Sequence, residues 1–394
     1  RSALPGVKPY SRVTKGADGG CLDGPELADV TVSGDAGPGT GDTASWFRWF
    51  ALNSYGDSSP VYGAVVASVA DDDALLAVVE EAPEDARHPG VLLAAVKFLL
   101  ATGDGHPLGQ HYAEQRTDGV ANVFRQFVMS HRSEVLDLMA TRRLQTNEIA
   151  RTAVLAPVVR EVQRRVEQPI ALIDVGTSAG LNLLLDEVRI DYGHTAIGPD
   201  DSPIQLACRA LDAGPPPGPE LDIRWRVGLD RVPVDLTEPG DRSWLEACIW
   251  PEHTDRAQRL AAAATLQASH PPRLVRGDAV EALMPLIAEA PDDLMLVVVT
   301  SWTAVYLSGP QRRILERTMA NAGRRVAWVS AEFPNVVRGI EDRYPPKTGD
   351  RDISKVAIVW FPADGTPEQR EFVGWSHNHG HWLDWPLETT SRLM

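Results

Sequence analysis

Residues 169–187, Pro-Ile-Ala-Leu-Ile-Asp-Val-Gly-Thr-Ser-Ala-Gly-Leu-Asn-Leu-Leu-Leu-Asp-Glu, constrain this chain more than any other stretch. The run from Ile170 to Val175, interrupted only by Asp174, has the length and apolar character of a buried strand. A glycine-rich turn follows at Gly176-Thr177-Ser178-Ala179-Gly180, and then the apolar start of a helix from Leu181 to Leu185. Strand, glycine turn and helix form the opening unit of a parallel α/β domain. Glycines let the backbone turn sharply and let another group lie against it. A helix start behind them would offer unpaired N–H groups and a positive dipole end.

Two chemistries compete for this turn. Asp174-x-Gly176-x-Ser178-x-Gly180 resembles the first motif of S-adenosylmethionine (SAM) dependent methyltransferases. Gly176-x-Ser178-x-Gly180 also matches the nucleophile elbow of α/β-hydrolases, with Ser178 as nucleophile and a later Asp and His completing the order. A hydrolase elbow normally follows several strands, and no strand pattern is legible before residue 169. No His-Gly-Gly type segment precedes it either. The acid two residues before the first glycine is the methyltransferase arrangement.

The rest of the chain divides around this unit. Residues 1–40 are rich in Gly, Pro, Asp and Thr and read as a flexible tail carrying Cys21. Residues 41–165 read as a helical cap or substrate domain, with helices expected at 45–51, 61–70, 72–81, 90–102, 120–130 and 134–141, and His106-Pro107-Leu108 opening a short connection. Trp46, Trp49 and Tyr55 are either a cap over the substrate or plain core. The polar run Arg142–Arg151 opens a helix reaching to 166; Gln145 and Asn147 are candidate substrate contacts and Glu148 a candidate catalytic group, against the alternative of a solvated helix start.

Residues 166–394 alternate strands and helices, with a hairpin-like insertion about 191–220. Strands are expected at 221–229, 272–276, 294–299 and 325–330, with a final antiparallel pair at 354–361 and 371–376. The fold class is α/β: a Rossmann-like sheet of the class I methyltransferase kind, mostly parallel, its last strand antiparallel. Asp174, Asp230 and Asp278 fall at successive strand ends, with Asp191 as an alternative to Asp230. Ligands of open parallel sheets lie at the carboxyl ends of the strands, so Thr300, Ser301 and Trp302 are candidates for the substrate face. His377, His379 and His381 alternate in the tail. Three imidazoles on one strand face would suit zinc, but Gly380 argues for a closing loop, and no metal is assigned. His379 or His381 would then serve as a base toward an acceptor losing a proton.

These residues together carry a family resemblance. The helical region around Trp46–Pro60, Gln145-Thr146-Asn147-Glu148, the run 171–182, Gly228-Leu229-Asp230, Trp250-Pro251-Glu252-His253, Gly277-Asp278-Ala279 and His379-Gly380-His381-Trp382 resemble the bacterial family of unknown function DUF2332. The resemblance covers nearly all of residues 45–385 and implies a methyltransferase-like fold. It implies SAM contacts from Asp174, Gly176, Thr177, Ser178, Gly180, Asn182, Asp230, Asp278 and Ala279. His381 stands where an Arg is expected, so the position is charged only part of the time near neutrality.

The expected function is methyl transfer from SAM to an oxygen or nitrogen of a small polar molecule. The alternatives are a nucleotide- or SAM-binding module without chemistry, and the Ser178 hydrolase. A net charge of −16 argues against nucleic acid as the main partner. No apolar run reaches the length of a membrane span. The first residues lack a basic-then-apolar pattern, and three cysteines at no ligand-like spacing suit a reducing compartment, so a cytoplasmic location is expected.

Overall fold

A computed structural model describes residues 42–386, apart from 57, 104, 217, 351 and 365. The expected tail at 1–40 and Cys21 lie outside the described residues. Among the described residues before Pro169, every element is helical.

The helical part buries an aromatic and branched core that includes Phe47, Phe50, Tyr55, Tyr62, Leu92, Phe124 and Phe127. Its helices are Thr43–Phe50, Pro60–Ala70, Asp73–Glu81, Pro89–Thr102, Pro107–Ala113, Val120–Ser130 and Arg132–Thr141. Pro107–Ala113 replaces the short connection expected there. Pro107 is tolerated at the first helical position, and the His106 ring caps the helix by accepting from the Leu108 N–H at 3.2 Å. A second departure concerns the boundary at 165. Helix Pro239–Ala247 comes from the α/β half of the sequence, yet its Trp244 packs into the helical core and donates to the Arg143 carbonyl at 2.9 Å.

Among the described residues the α/β part has twelve strands: β1 Ile170–Val175, β2 Arg189–Asp191, β3 Ala196–Ile197, β4 Gln205–Ala207, β5 Arg209–Ala210, β6 Ile223–Asp230, β7 Leu274–Arg276, β8 Met295–Ser301, β9 Val326–Glu332, β10 Ile353–Phe361, β11 Gln369–His377 and β12 Trp382–Asp384. Nine form a central sheet in the order β5-β12-β11-β10-β9-β8-β1-β6-β7. The five strands from β7 to β9 are mutually parallel. The chain is thus mixed α/β with a large, mostly parallel central sheet. Antiparallel pairing extends further than the single last strand expected: β10, β11 and β12 each reverse on their neighbour. The tail, expected as a loop, supplies β12, and β5 closes the edge beside it.

Both faces of the sheet are covered, which is why β1, β8 and β9 are buried at every residue and read as continuous apolar runs. Ile170, Leu172, Val297 and Val329 face the helix Thr152–Val166 side, while Ala171, Ile173, Val298 and Trp328 face the opposite core. The insertion is a three-stranded sheet, β3-β2-β4.

The glycine turn is followed by a single 3-10 turn, Leu181–Leu184, and not by the expected α-helix. Leu181, Leu183, Leu184 and Leu185 are all buried. The run fills the core all round instead of lining one face of a helix. The polar run is likewise extended to Glu148, and helix begins only with the 3-10 turn Ile149–Arg151, continuing as Thr152–Val166.

The tail is fitted tightly to that helix start. Gly380 has φ +74°, and a Cβ there would sit 1.9 Å from the Ala150 carbonyl oxygen. Gly380→Ala therefore meets both a left-handed backbone and a clash with main chain. A loss of about 2 kcal/mol or more is expected in urea denaturation; an unchanged midpoint would show that the tail shifts freely.

Candidate functional site

The sheet reverses its winding beside β1: the chain runs next to β6 and β7 on one side, then crosses to β8 and β9 on the other. Such a switch point leaves a crevice at the carboxyl ends of the strands. The ends of β1, β6 and β7 bring Asp174, Asp230 and Asp278 to this crest. In the strand registers Asp174 pairs with Gly228 and Asp230 with Arg276.

Asp174 is fully buried. Asn182 donates to its Oδ1 at 3.5 Å, while Oδ2 has no aligned donor; the Thr177 hydroxyl, itself without an aligned partner, also acts on this carboxyl. Burial raises its pKa to about 6, with the Thr177 hydroxyl and Asn182 amide pulling the other way. Asp230 pins the glycine turn: its Oδ2 accepts from the Ser178 N–H and its Oδ1 from the Val232 N–H, both at 2.8 Å. Asp278 caps helix Ala279–Glu289 by accepting from the Val280 N–H at 2.9 Å, and Ala279 is the buried first residue of that helix. Asp191, the alternative to Asp230, sits on the small sheet, where it accepts from the Gly193 N–H. It lies on a different sheet from the crest strands.

The glycines of the turn serve packing inside the protein. A Cβ on Gly176, at φ +79°, would fall 2.1 Å from the Thr303 hydroxyl oxygen. A Cβ on Gly228 would strike Thr177, and one on Gly180 would press on Pro272 and Leu274. The backbone donors are also engaged internally. Gly176 and Thr177 both donate to the Leu229 carbonyl, and Ser178 donates to Asp230. The Ser178 hydroxyl donates to Gln145 Oε1, so its partner is an amide and not a histidine. Neither a nucleophile–base pair nor the helix start of an elbow stands behind Ser178.

Several expected site residues turn out to be structural. Glu148 is buried and held by two guanidiniums: Arg259 donates to both of its oxygens at 3.1 Å, and Arg256 lies 3.2 Å from Oε2. It also caps the Ile149–Arg151 turn, so it has no free oxygen for proton transfer. Thr300 is fully buried, and its hydroxyl accepts from the Trp328 indole at 3.0 Å. Gln145 braces the crest, donating to the Val232 carbonyl while accepting from Ser178. Asn147 is buried with an unpartnered side-chain N–H₂, and its carbonyl accepts from Arg256. The Ser301 carbonyl accepts from Arg151 at 3.1 Å. Trp302 has φ +54° and donates to Ser354 at 2.7 Å, with its ring against Phe333.

The three tail histidines gather, but not on a strand face: His377 ends β11 and His381 precedes β12. The rings of His377 and His381 stack at 4.2 Å, and His379 lies about 6 Å from each. Among the described residues no group of three His, Cys, Asp or Glu is arranged to hold a metal. His381 is exposed on the far side of this stack. His379 keeps some surface, but protein packs densely round its ring. Burial first, then the Arg151 and Arg256 charges, hold its pKa well below the usual range. It is neutral at pH 7 and a weak base.

Sequence reasoning passed over three groups. Arg151 is buried and donates only to carbonyls, those of Ser301 and Asn378. Arg256 and Arg259, one turn apart on helix Thr254–Ser269, share Glu148. Glu332, at the end of β9, accepts from the N–H groups of Thr303, Ala304 and Val305 and so fixes the loop above Gly176. The only signal for Arg256 and Arg259 was their three-residue spacing on a helix, and that is common on solvated faces. A cavity of about 170 Å³ lies beside this cluster, bounded by Phe50, Tyr62, Leu144, Trp250, Arg256 and His379. A larger one, about 250 Å³, is lined by the insertion and the 218–221 segment and includes none of the crest side chains.

The raised Asp174 pKa fixes a sign. The folded state holds the proton more tightly than the unfolded chain, so stability is highest below about pH 4 for this group and falls as pH rises toward 6 and beyond. Asp174→Asn is therefore expected to be more stable than the parent at pH 7.5, by up to about 3 kcal/mol. The gap should close between pH 6 and 4 in denaturant titrations. A gap independent of pH would show that the carboxylate is not strained by burial.

No single helix among the described residues is long and apolar enough to cross a membrane. A search of the curated proteins returns no match. The family model for DUF2332, described as an uncharacterized protein conserved in bacteria, matches residues 44–385, which take in the helical part, the crest of the sheet and the histidine tail. The chain belongs to the DUF2332 family.

Proposed function

We propose that this protein is a SAM-dependent methyltransferase acting on a small polar molecule, built on a Rossmann-like sheet of the class I kind. The observation that carries this reading is the unpartnered, buried Asp174 Oδ2 beside the glycine turn, with Asp230 and Asp278 at the ends of the next two parallel strands. A buried acceptor without a donor is costly and invites a ligand donor. The α-ammonium group of SAM is such a donor. The five parallel strands and the switch point beside β1 support the same placement.

Bound SAM supplies a methyl group already activated by its sulfonium; the protein's part is to hold donor and acceptor in line. Asp174 would take the ammonium group. Asp230 keeps acceptor capacity on each oxygen beyond its one backbone contact and would take ribose hydroxyls. Asp278 or the adjacent Ala279 backbone would meet the adenine. Asn182, Gly176, Thr177, Ser178 and Gly180 would shape the wall, sharing the clearance above Gly176 with Thr303. His379 would accept the proton the methyl acceptor loses. The setting proposed is the bacterial cytoplasm.

A second reading is a SAM- or nucleotide-binding module without chemistry. It is favoured by the locking of Glu148 in ion pairs and by the low basicity of His379.

Isothermal titration of the full chain with SAM and with its demethylated product tests the cofactor. Saturable one-to-one binding is expected, weaker by roughly tenfold in Asp174→Asn, or about 1.4 kcal/mol. Parent affinity should fall as pH drops through 6, where Asp174 protonates, and the variant should lack this dependence. Absence of binding by both compounds overturns the proposal. Binding without turnover on a panel of oxygen and nitrogen nucleophiles selects the module.

A further inference from the structure

The cavity of about 170 Å³ between the helical part and the Trp250–His253 turn has a chemistry of its own. Phe50, Tyr55, Tyr62 and Trp250 form its aromatic walls. The Tyr55 and Trp250 rings lie 5.0 Å apart and tilted, and the Tyr55 and Tyr62 rings meet edge to face at 5.8 Å. Its volume is close to that of the roughly 150 Å³ apolar cavities that admit one benzene ring. It opens past Leu144 and Thr146, both of which are exposed.

Two polar features set this cavity apart from a packing defect. The Tyr62 hydroxyl is buried and has no hydrogen-bond partner, a state that costs about 1–3 kcal/mol unless a ligand or water relieves it. Arg256 is the only charged side chain lining the cavity among the described residues, and no carboxylate lines it. Its counter-charge is shared: Glu148 serves both Arg256 and Arg259. The Arg256 Nε–H finds no aligned acceptor. Arg151, whose charge also acts on His379 at the cavity wall, is bound by carbonyls alone. Glu252, on the Trp250–His253 turn, accepts from the Ser59 hydroxyl at 2.6 Å and the Val61 N–H, so its oxygens are turned to that segment. The floor therefore offers two buried donors without an aligned acceptor, the Arg256 Nε–H and the Tyr62 O–H, under aromatic walls.

We infer that this cavity is a binding site for a single-ring aromatic carboxylate, with the ring between the aromatic walls and the carboxylate held by Arg256 and the Tyr62 hydroxyl. In the transferase reading it would be the acceptor's place, but the binding claim does not rest on that reading.

Calorimetric titration of the full chain with benzoate and with the neutral benzyl alcohol tests it. Saturable one-to-one binding of benzoate is expected, at least tenfold tighter than benzyl alcohol. Tyr62→Phe, which removes one oxygen, should weaken benzoate severalfold. Ala94→Leu, which adds bulk to the cavity wall, should abolish it; if that variant fails to fold, Tyr62→Phe remains decisive. No saturable benzoate binding, equal affinity for the two probes, or benzoate binding unaffected by Tyr62→Phe overturns the inference. SAM titration of the same variants keeps this result separate from that for the crest: SAM binding retained with benzoate lost marks two sites.

Discussion

One buried carboxylate, Glu148, holds three parts of this molecule together. It stands between the helical part and β1 and caps the turn that leads into helix Thr152–Val166. It is gripped by Arg256 and Arg259 from helix Thr254–Ser269. Arg151, three residues on, reaches the end of β8 and the tail between β11 and β12. Removing charges from water costs several kcal/mol each, repaid only where geometry and further hydrogen bonds are good. Such a cluster adds little net stability over an apolar one, but it tolerates few alternative arrangements. Breaking any member leaves a buried charge uncompensated. The glycine at 380 belongs to this constraint, because only a residue without Cβ lets the tail approach the Ala150 carbonyl.

The crest of the sheet is organised by a second, gentler device. Asp230 draws the Ser178 N–H toward β6, and Gln145 draws the Ser178 hydroxyl toward the segment before β1. Glu332 does the same for the loop after β8, using three backbone N–H groups. Each turn at the crest is thus anchored by a side chain from a neighbouring strand or segment. Asp174 is the exception: it is buried at the centre with an acceptor unused. The Thr177 hydroxyl in the same turn is likewise buried without an aligned partner, so the unmet polar groups at this edge cluster round the glycine turn. Strain of this kind is where stability and function trade against each other.

Much of the fold was legible because its signals are local. β1, β8 and β9 are buried on both faces, so each appears as a largely apolar run, and the helix Val120–Ser130 coincides with the stretch expected. The misreadings share one cause. Leu181–Leu185 is apolar enough to start a helix, but its side chains are needed on every side of the core, and the chain turns away to β2. The run 142–148 is polar enough to open a helix, but only Glu148 caps one, while Arg142, Arg143 and Gln145 bind other segments. Pro107 looked like a break because the capping role of the His106 ring is not a composition signal.

By itself the sequence determined the α/β class, the glycine turn, and the order of acids along the strands, because strand periodicity, glycine geometry and strand-end position are properties of short segments. Only the tertiary structure decided which groups are free. Glu148, a catalytic candidate in one dimension, and Thr300, a substrate-face candidate, are engaged by Arg256, Arg259 and Trp328 in three. Asp230 lies on the strand beside β1, while Asp191, its alternative, lies on a separate small sheet. The Tyr62 hydroxyl and Arg256, unremarked as letters, became a site when helices distant in sequence closed around them. The physical reason is the same throughout: a residue's chemistry depends on which partners and how much water surround it, and those are set by contacts between segments that the linear order does not encode.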